Sequence, residues 1–176
     1  MKKIVSLVLA LMMLMSSAAF AGSIPMAMED QLADVVRDYL DEAEWVYEYD
    51  EDYTFSLDFE IESDLKEAYV NIFVYDDMVS VTVDAPIQVS EEYFENAAIF
   101  TTLVNNDIYY AQFRISHDSG LITCRSCQLV ETTVPATDEI DTLLYMPVFY
   151  MQTYGNGIKA ICEGADPYQA YESCMG

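Results

Sequence analysis

Between Tyr53 and Glu62 apolar and polar side chains alternate without a break. Tyr53, Phe55, Leu57, Phe59 and Ile61 fall on one side, and Thr54, Ser56, Asp58, Glu60 and Glu62 on the other. A period of two marks a strand, and one apolar face against one acidic face requires a sheet with a wet side. Two further strand patterns follow at short intervals. Ala68–Tyr75 carries Val70, Ile72 and Val74 on one face and Tyr69, Phe73 and Tyr75 on the other, and Met78–Asp84 turns Val79, Val81 and Val83 one way. The intervening 62–66 and Asp76-Asp77 segments are turn-length, so the three strands form an antiparallel meander, which Pro86 is expected to end.

Helical periods flank the meander. Before it, Leu32, Val35, Val36, Tyr39 and Leu40 make one stripe from Met28 to about Leu40. The acidic, aromatic stretch 42–52 reads as an extended lead into the first strand. After the meander, Ser90 has the chemistry of an N-cap, with Glu91 and Glu92 in the first turn of a helix. Its buried side would be Phe94, Ala97, Ala98, Phe100 and Leu103. Ile108–Ile115 and Leu121–Val130 are strands joined by the hairpin His117-Asp118-Ser119-Gly120. Thr137 would cap a last long helical segment, kinked or divided at Pro147, loosened at Gly155-Asn156-Gly157 and stopped at Gly164. Asp166-Pro167 starts a short final helix. The expected fold class is α+β, a five-stranded antiparallel sheet with helices packed on it, in the order α-β-β-β-α-β-β-α.

The N-terminus has the make-up of a secretory leader. Lys2 and Lys3 precede an apolar run from Ile4 to Met15, and Ala19-Phe20-Ala21 is a small-x-small site. Residues 1–21 are therefore expected to be a signal peptide cut between Ala21 and Gly22, leaving one domain over 22–176 and no stable membrane anchor. Its destination would be the periplasm, the cell envelope or the extracellular space. Lys2 and Lys3 would leave with the leader, so 5 of the 7 basic residues remain against 31 acidic ones. Nucleic acid is a poor partner for such a chain, because binding it depends on neutralising phosphates with Lys and Arg. Proteins, basic peptides and cations are the charge-compatible partners, and plain solubility outside the cell is the simplest use of the charge.

The segment Ser90–Val130 also carries a likeness. A helix ending in Leu103-Val104-Asn105-Asn106, a strand with Phe113, a turn ending in Gly120 and a strand with Arg125 and Leu129 resemble the YbjN-like family of bacterial sensory transduction regulators. The resemblance spans about Met28 to Gly164. It implies a fold like that of type III secretion chaperones, a protein-binding or regulatory role, and dimers by analogy. The family has no established reaction, so it supplies no catalytic residue.

Elementary chemistry supplies none either. His117 is the sole histidine, and any Ser-His or Cys-His site would have to use it. No glycine loop for phosphate, no HExxH and no cofactor motif occurs. Asp50-Glu51-Asp52 and Asp76-Asp77 lie in turns but lack the spaced ligands of an EF-hand, so no metal residue is assigned. Cys124 and Cys127 have CxxC spacing, but on a strand they are about 10 Å apart and on opposite faces, too far for a disulfide's roughly 7 Å Cα span. Cys162–Cys174 is the preferred bridge, a clasp worth about 3 kcal/mol, with cross-pairs to Cys124 and Cys127 open. Tyr69, Phe73, Tyr75, Tyr109 and Tyr110 fall on predicted strands and form the candidate binding face. The expectation is thus an exported, non-enzymatic domain that binds a protein or peptide. An acidic, cation- or wall-associated envelope protein comes second and a hydrolase third.

Overall fold

In the computed structural model the chain is described over residues 27–50, 52–131 and 133–175. The leader and its cleavage site lie outside these residues. The alternating segment is strand β2 (Thr54–Glu60). It pairs with β3 (Glu67–Tyr75), which pairs with β4 (Met78–Gln88), and both pairings are antiparallel. Helix α1 (Met28–Glu42) precedes them, with Leu32, Ala33, Val36, Tyr39 and Leu40 buried. After a single 3-10 turn at Glu91–Tyr93 come α2 (Phe94–Asn105), β5 (Gln112–Ile115), β6 (Leu121–Leu129), α3 (Thr137–Cys162) and α4 (Pro167–Ser173).

Among the described residues the sheet has six strands rather than five. The aromatic lead-in contributes β1 (Glu48–Tyr49), a two-residue strand on the edge of β2, and the order is β1-β2-β3-β4-β6-β5. Pro86 does not end β4. The strand runs on to Gln88 through a register shift between Asp84 and Gln88, where β3 no longer runs alongside. A proline is tolerated there because no ladder bond needs its missing N–H. The strand expected from Ile108 begins only at Gln112. In α2 the buried residues are Ala97, Phe100, Thr101 and Val104, and Ala98 is exposed. Ser90 makes no side-chain cap. At the start of α3 the cap is Ala136, not Thr137, and the Glu139 carboxylate accepts the Ala136 N–H at 2.8 Å.

Helix α3 is one continuous helix of 26 residues, where two or three pieces were expected. Proline at 147 removes the N–H that would bond the carbonyl of Leu143. The buried Ser126 hydroxyl on β6 donates to that carbonyl at 2.6 Å, so the sheet supplies the donor the helix lacks. The two glycines are contact positions rather than breaks. A Cβ on Gly155 would lie 2.4 Å from Ser63 Oγ, and one on Gly157 would lie 2.7 Å from the Phe100 ring. Each glycine weakens the helix by about 1 kcal/mol and in exchange lets a neighbour pack against its backbone. Gln152 and Asn156 accept the N–H groups of Glu62 and Asp64, tying the β2–β3 turn to α3. Replacing Ser126 with Ala should cost about 2 kcal/mol by orphaning a buried carbonyl. The loss should shrink in a Pro147→Ala background, where the helix can bond Leu143 itself; paired urea titrations would show it.

The described helices lie on one side of the sheet. The core between them is lined by Phe55, Val70, Ile72, Val81, Ile122, Phe100, Leu144, Met151 and Ile158. Asn105, at the end of α2, closes the outer edge of β5. Its amide donates to the Phe113 carbonyl at 2.9 Å and accepts the Phe113 N–H at 2.8 Å, as a neighbouring strand would.

Candidate functional site

With every described helix on one face, no described element covers the other face of the sheet. Strand alternation sends Tyr69, Asn71, Phe73 and Tyr75 of β3 to this side, together with Thr82 and Asp84 of β4 and Thr123 and Arg125 of β6. The register arranges them in rows. One runs Gln112, Arg125, Thr82, Asn71, Ser56, and the next runs Arg114, Thr123, Asp84, Tyr69, Asp58. The second row is polarised, with an arginine at the β5 end and a carboxylate at the β2 end.

A shallow groove of about 420 Å³ crosses the middle of this face, between Phe73 and Tyr75 on one side and Arg114, Ile115 and Thr123 on the other. Its floor is hydrogen-bonded in place. Arg125 Nε donates to the buried Ser80 Oγ at 2.9 Å, and Thr123 Oγ1 donates to Asp84 Oδ1 at 2.6 Å. Burial raises the Asp84 carboxyl above the usual carboxylate range, and the Thr123 hydroxyl works against that rise. Neither Arg114 nor Arg125 forms an ion pair with a carboxylate among the described residues. In a chain of net charge −24, both guanidinium groups are left without a carboxylate partner among the described residues.

Three residues of the expected binding face are brought together. Tyr69 and Tyr75 are 41% and 44% exposed and Phe73 is half-buried, all on the open side of β3. Tyr109 and Tyr110 are not on a strand; they lie in the α2–β5 loop, 87% and 66% exposed. There Asn105 holds the chain by its Phe113 backbone, and pairing with β6 starts only at Gln112. The groove, and the placing of Arg114 diagonal to Arg125 in it, do not follow from any single strand pattern. A signal was present: Arg114 and Arg125 sit at positions of matching parity on two strands whose register the hairpin at 117–120 sets.

The remaining candidates are dispersed. The structure contains no disulfide among its four cysteines. Cys124 points into the core, where burial pushes its thiol up, and Cys127 is exposed, so the two do face opposite ways. Burial raises Cys162 to about 11 and also raises Cys174. Cys162 and Cys174 are not bonded to each other in this structure. Cys174 packs where Gly157 lacks a Cβ, and position 157 is about 7.5 Å up the helix axis from Cys162. His117 is fully exposed on the hairpin, 3.5 Å from Asp118, with its ring 5.8 Å from that of Phe94. No hydroxyl or thiol bonds to it among the described residues. Asp50 uses its carboxylate to accept the N–H groups of Asp52 and Thr54. No group of three metal-ligating side chains occurs among the described residues, and no described helix is long and apolar enough to cross a membrane.

Carboxylates elsewhere are held by tyrosines rather than by Lys or Arg. Tyr39 donates to Asp141 at 2.8 Å, joining α1 to α3, and Tyr53 donates to Asp30 at 2.7 Å. Tyr47 bonds Asp41, Tyr69 bonds Glu67, and Tyr171 of α4 bonds Asp107 beside the end of α2. Every one of these phenols is raised above its ordinary value. Burial leads for Tyr39, and the carboxylate bond leads for Tyr53 and Tyr171, which reach about 12. Arg37–Asp34 is the one Lys or Arg ion pair among the described residues.

No protein-family model matches the chain, and no curated protein matches it by sequence. Solved structures do match by shape. A crystal structure of YbjN, described as "a putative transcription regulator from E. coli", superposes with a TM-score of 0.52 at 12% sequence identity, over 77% of this chain and 92% of that one. The fold is YbjN-like. In this YbjN-like arrangement the helices occupy one face of the sheet, and the groove lies on the other.

Proposed function

We propose that the chain is an exported, non-enzymatic domain that binds a segment of a protein or peptide on the open face of its sheet, and so acts as a binding or regulatory module of the cell envelope or its surroundings. The observation that carries this reading is the uncovered face itself. Partly exposed aromatics on β3 flank a groove whose polar floor is held by Arg125–Ser80 and Thr123–Asp84. An uncovered sheet of this kind, apolar in patches and rimmed by charge, is how soluble proteins present a docking surface. The leader-like residues 1–21 support export, and the YbjN-like fold agrees with a regulatory role.

Site-specific photo-crosslinking in the cells that make the protein tests it. A photoreactive residue at Tyr75, on the open face, should give a discrete adduct with one partner. The same residue at Tyr145, exposed on α3, should give none above background. Equal labelling from both positions, or no adduct at Tyr75, would refute the docking face.

A further inference from the structure

Resting on that reading, we infer that the groove anchors a carboxylate of the docked partner between Arg114 and Arg125, so the partner presents an acidic residue next to an apolar one. The register carries the geometry. Arg114 lies opposite Thr123, and Arg125 is two residues along β6, so the arginines are diagonal neighbours on one face. Diagonal neighbours on adjacent strands are about 7–8 Å apart, within reach of a shared ligand for side chains of this length. The Nε of Arg125 is already committed to Ser80 at 2.9 Å. That bond leaves the N–H groups of its two terminal nitrogens as a fork that can donate to both oxygens of a carboxylate.

Charge makes the same point by exclusion. With 31 acidic residues in the chain, a surface arginine has many possible intramolecular partners. Arg37 takes one, Asp34, at 2.6 Å. Arg114 and Arg125 take none among the described residues, although Asp84 lines the same groove. Asp84 is instead bonded by Thr123 and half-buried. Phe73 and Tyr75 form the apolar wall opposite the arginines. The face from β2 to β5 is about 19 Å wide, which suits an extended peptide better than a compact metabolite. Its acidic end at Asp58 then faces whatever lies at the other end of that peptide.

The test compares two peptides that differ only in charge, acetyl-Gly-Phe-Glu-Gly-amide and acetyl-Gly-Phe-Gln-Gly-amide, titrated into isotope-labelled protein produced from the full chain. The Glu peptide should shift the Arg125 Nε–Hε resonance and the Thr82 and Thr123 amides. The Gln peptide should bind about tenfold more weakly. Arg114→Gln with Arg125→Gln should erase that difference, and thermal unfolding will show whether the pair still folds. Should Arg125→Gln disturb the Ser80 contact, the exposed Arg114→Gln alone should still reduce the discrimination. Equal binding of the two peptides, or discrimination that survives both substitutions, overturns the anchor. If the Tyr75 adduct persists in that case, the docking face stands and only the carboxylate assignment falls.

Discussion

Substituting Ala for Gly120 should be among the most damaging single changes in the chain, with a loss of about 3 kcal/mol or more. Gly120 has φ +72°, in the left-handed region, and a Cβ there would lie 2.1 Å from the Val89 carbonyl oxygen. The two residues also share a bond, in which the Val89 N–H donates to the Gly120 carbonyl at 2.9 Å. A methyl group must therefore push the β5–β6 hairpin off the end of β4 and break that bond. Two substitutions separate the causes. Asn tolerates positive φ, so Gly120→Asn removes most of the backbone strain and keeps the collision. If collision dominates, Gly120→Asn should lose nearly as much as Gly120→Ala. Denaturant midpoints at constant m-value measure both. A loss below about 1 kcal/mol for either would mean the hairpin is not pressed against Val89.

Removing the ring of Phe100 should be comparably severe, at about 3–5 kcal/mol, the range for emptying a fully buried aromatic site. Phe100 has no exposed surface and abuts the bare backbone of α3 at Gly157. The informative experiment is the double change. In the native background Gly157→Ala should destabilise by about 1–2 kcal/mol, because its methyl would stand 2.7 Å from a rigid ring. The Cys174 sulfur is equally close but sits on a rotatable side chain near the C-terminus. In the Phe100→Ala background the methyl enters the vacated space, and the helix gains about 1 kcal/mol from exchanging Gly for Ala. The sign of Gly157→Ala should therefore reverse. An unchanged penalty in both backgrounds would show that something other than Phe100 holds position 157 to glycine.

These two glycines also mark where the sequence was and was not transparent. Gly120 follows a polar turn between two strand patterns, and local chemistry alone identifies it. Gly157 follows another glycine by two residues inside a helical pattern, and by local rules the pair ends a helix. What overrides the rule is a ring from α2, 57 positions away, which no window of neighbouring residues contains. Pro147 is the same case, since its helix is completed by a hydroxyl from β6. The meander, the order of elements and the start of α4 at Asp166 were legible because each rests on a period or a cap within one segment. The open face of the sheet was half legible. Tyr69, Phe73 and Tyr75 follow from alternation on one strand. The arginine pair depends on pairing β5 with β6, and Tyr109 and Tyr110 read as strand because the apolar run begins at Ile108, four residues before pairing starts at Gln112.

The phenol–carboxylate pairs have a consequence for how this molecule meets a changing medium. A fold held by ion pairs weakens as electrolyte screens them, and a chain this acidic would otherwise need many cations at its seams. Here Tyr39–Asp141, Tyr53–Asp30 and Tyr171–Asp107 fasten the helices to their neighbours by donors that carry no charge. Added salt should thus not loosen these seams and should firm the scaffold by screening the repulsion among its 31 acidic residues, while anything gripped by Arg114 and Arg125 is gripped less firmly as ions accumulate. Architecture and the proposed anchor answer to electrolyte with opposite signs, so a rise in salinity would weaken the grip of the two arginines without loosening the scaffold.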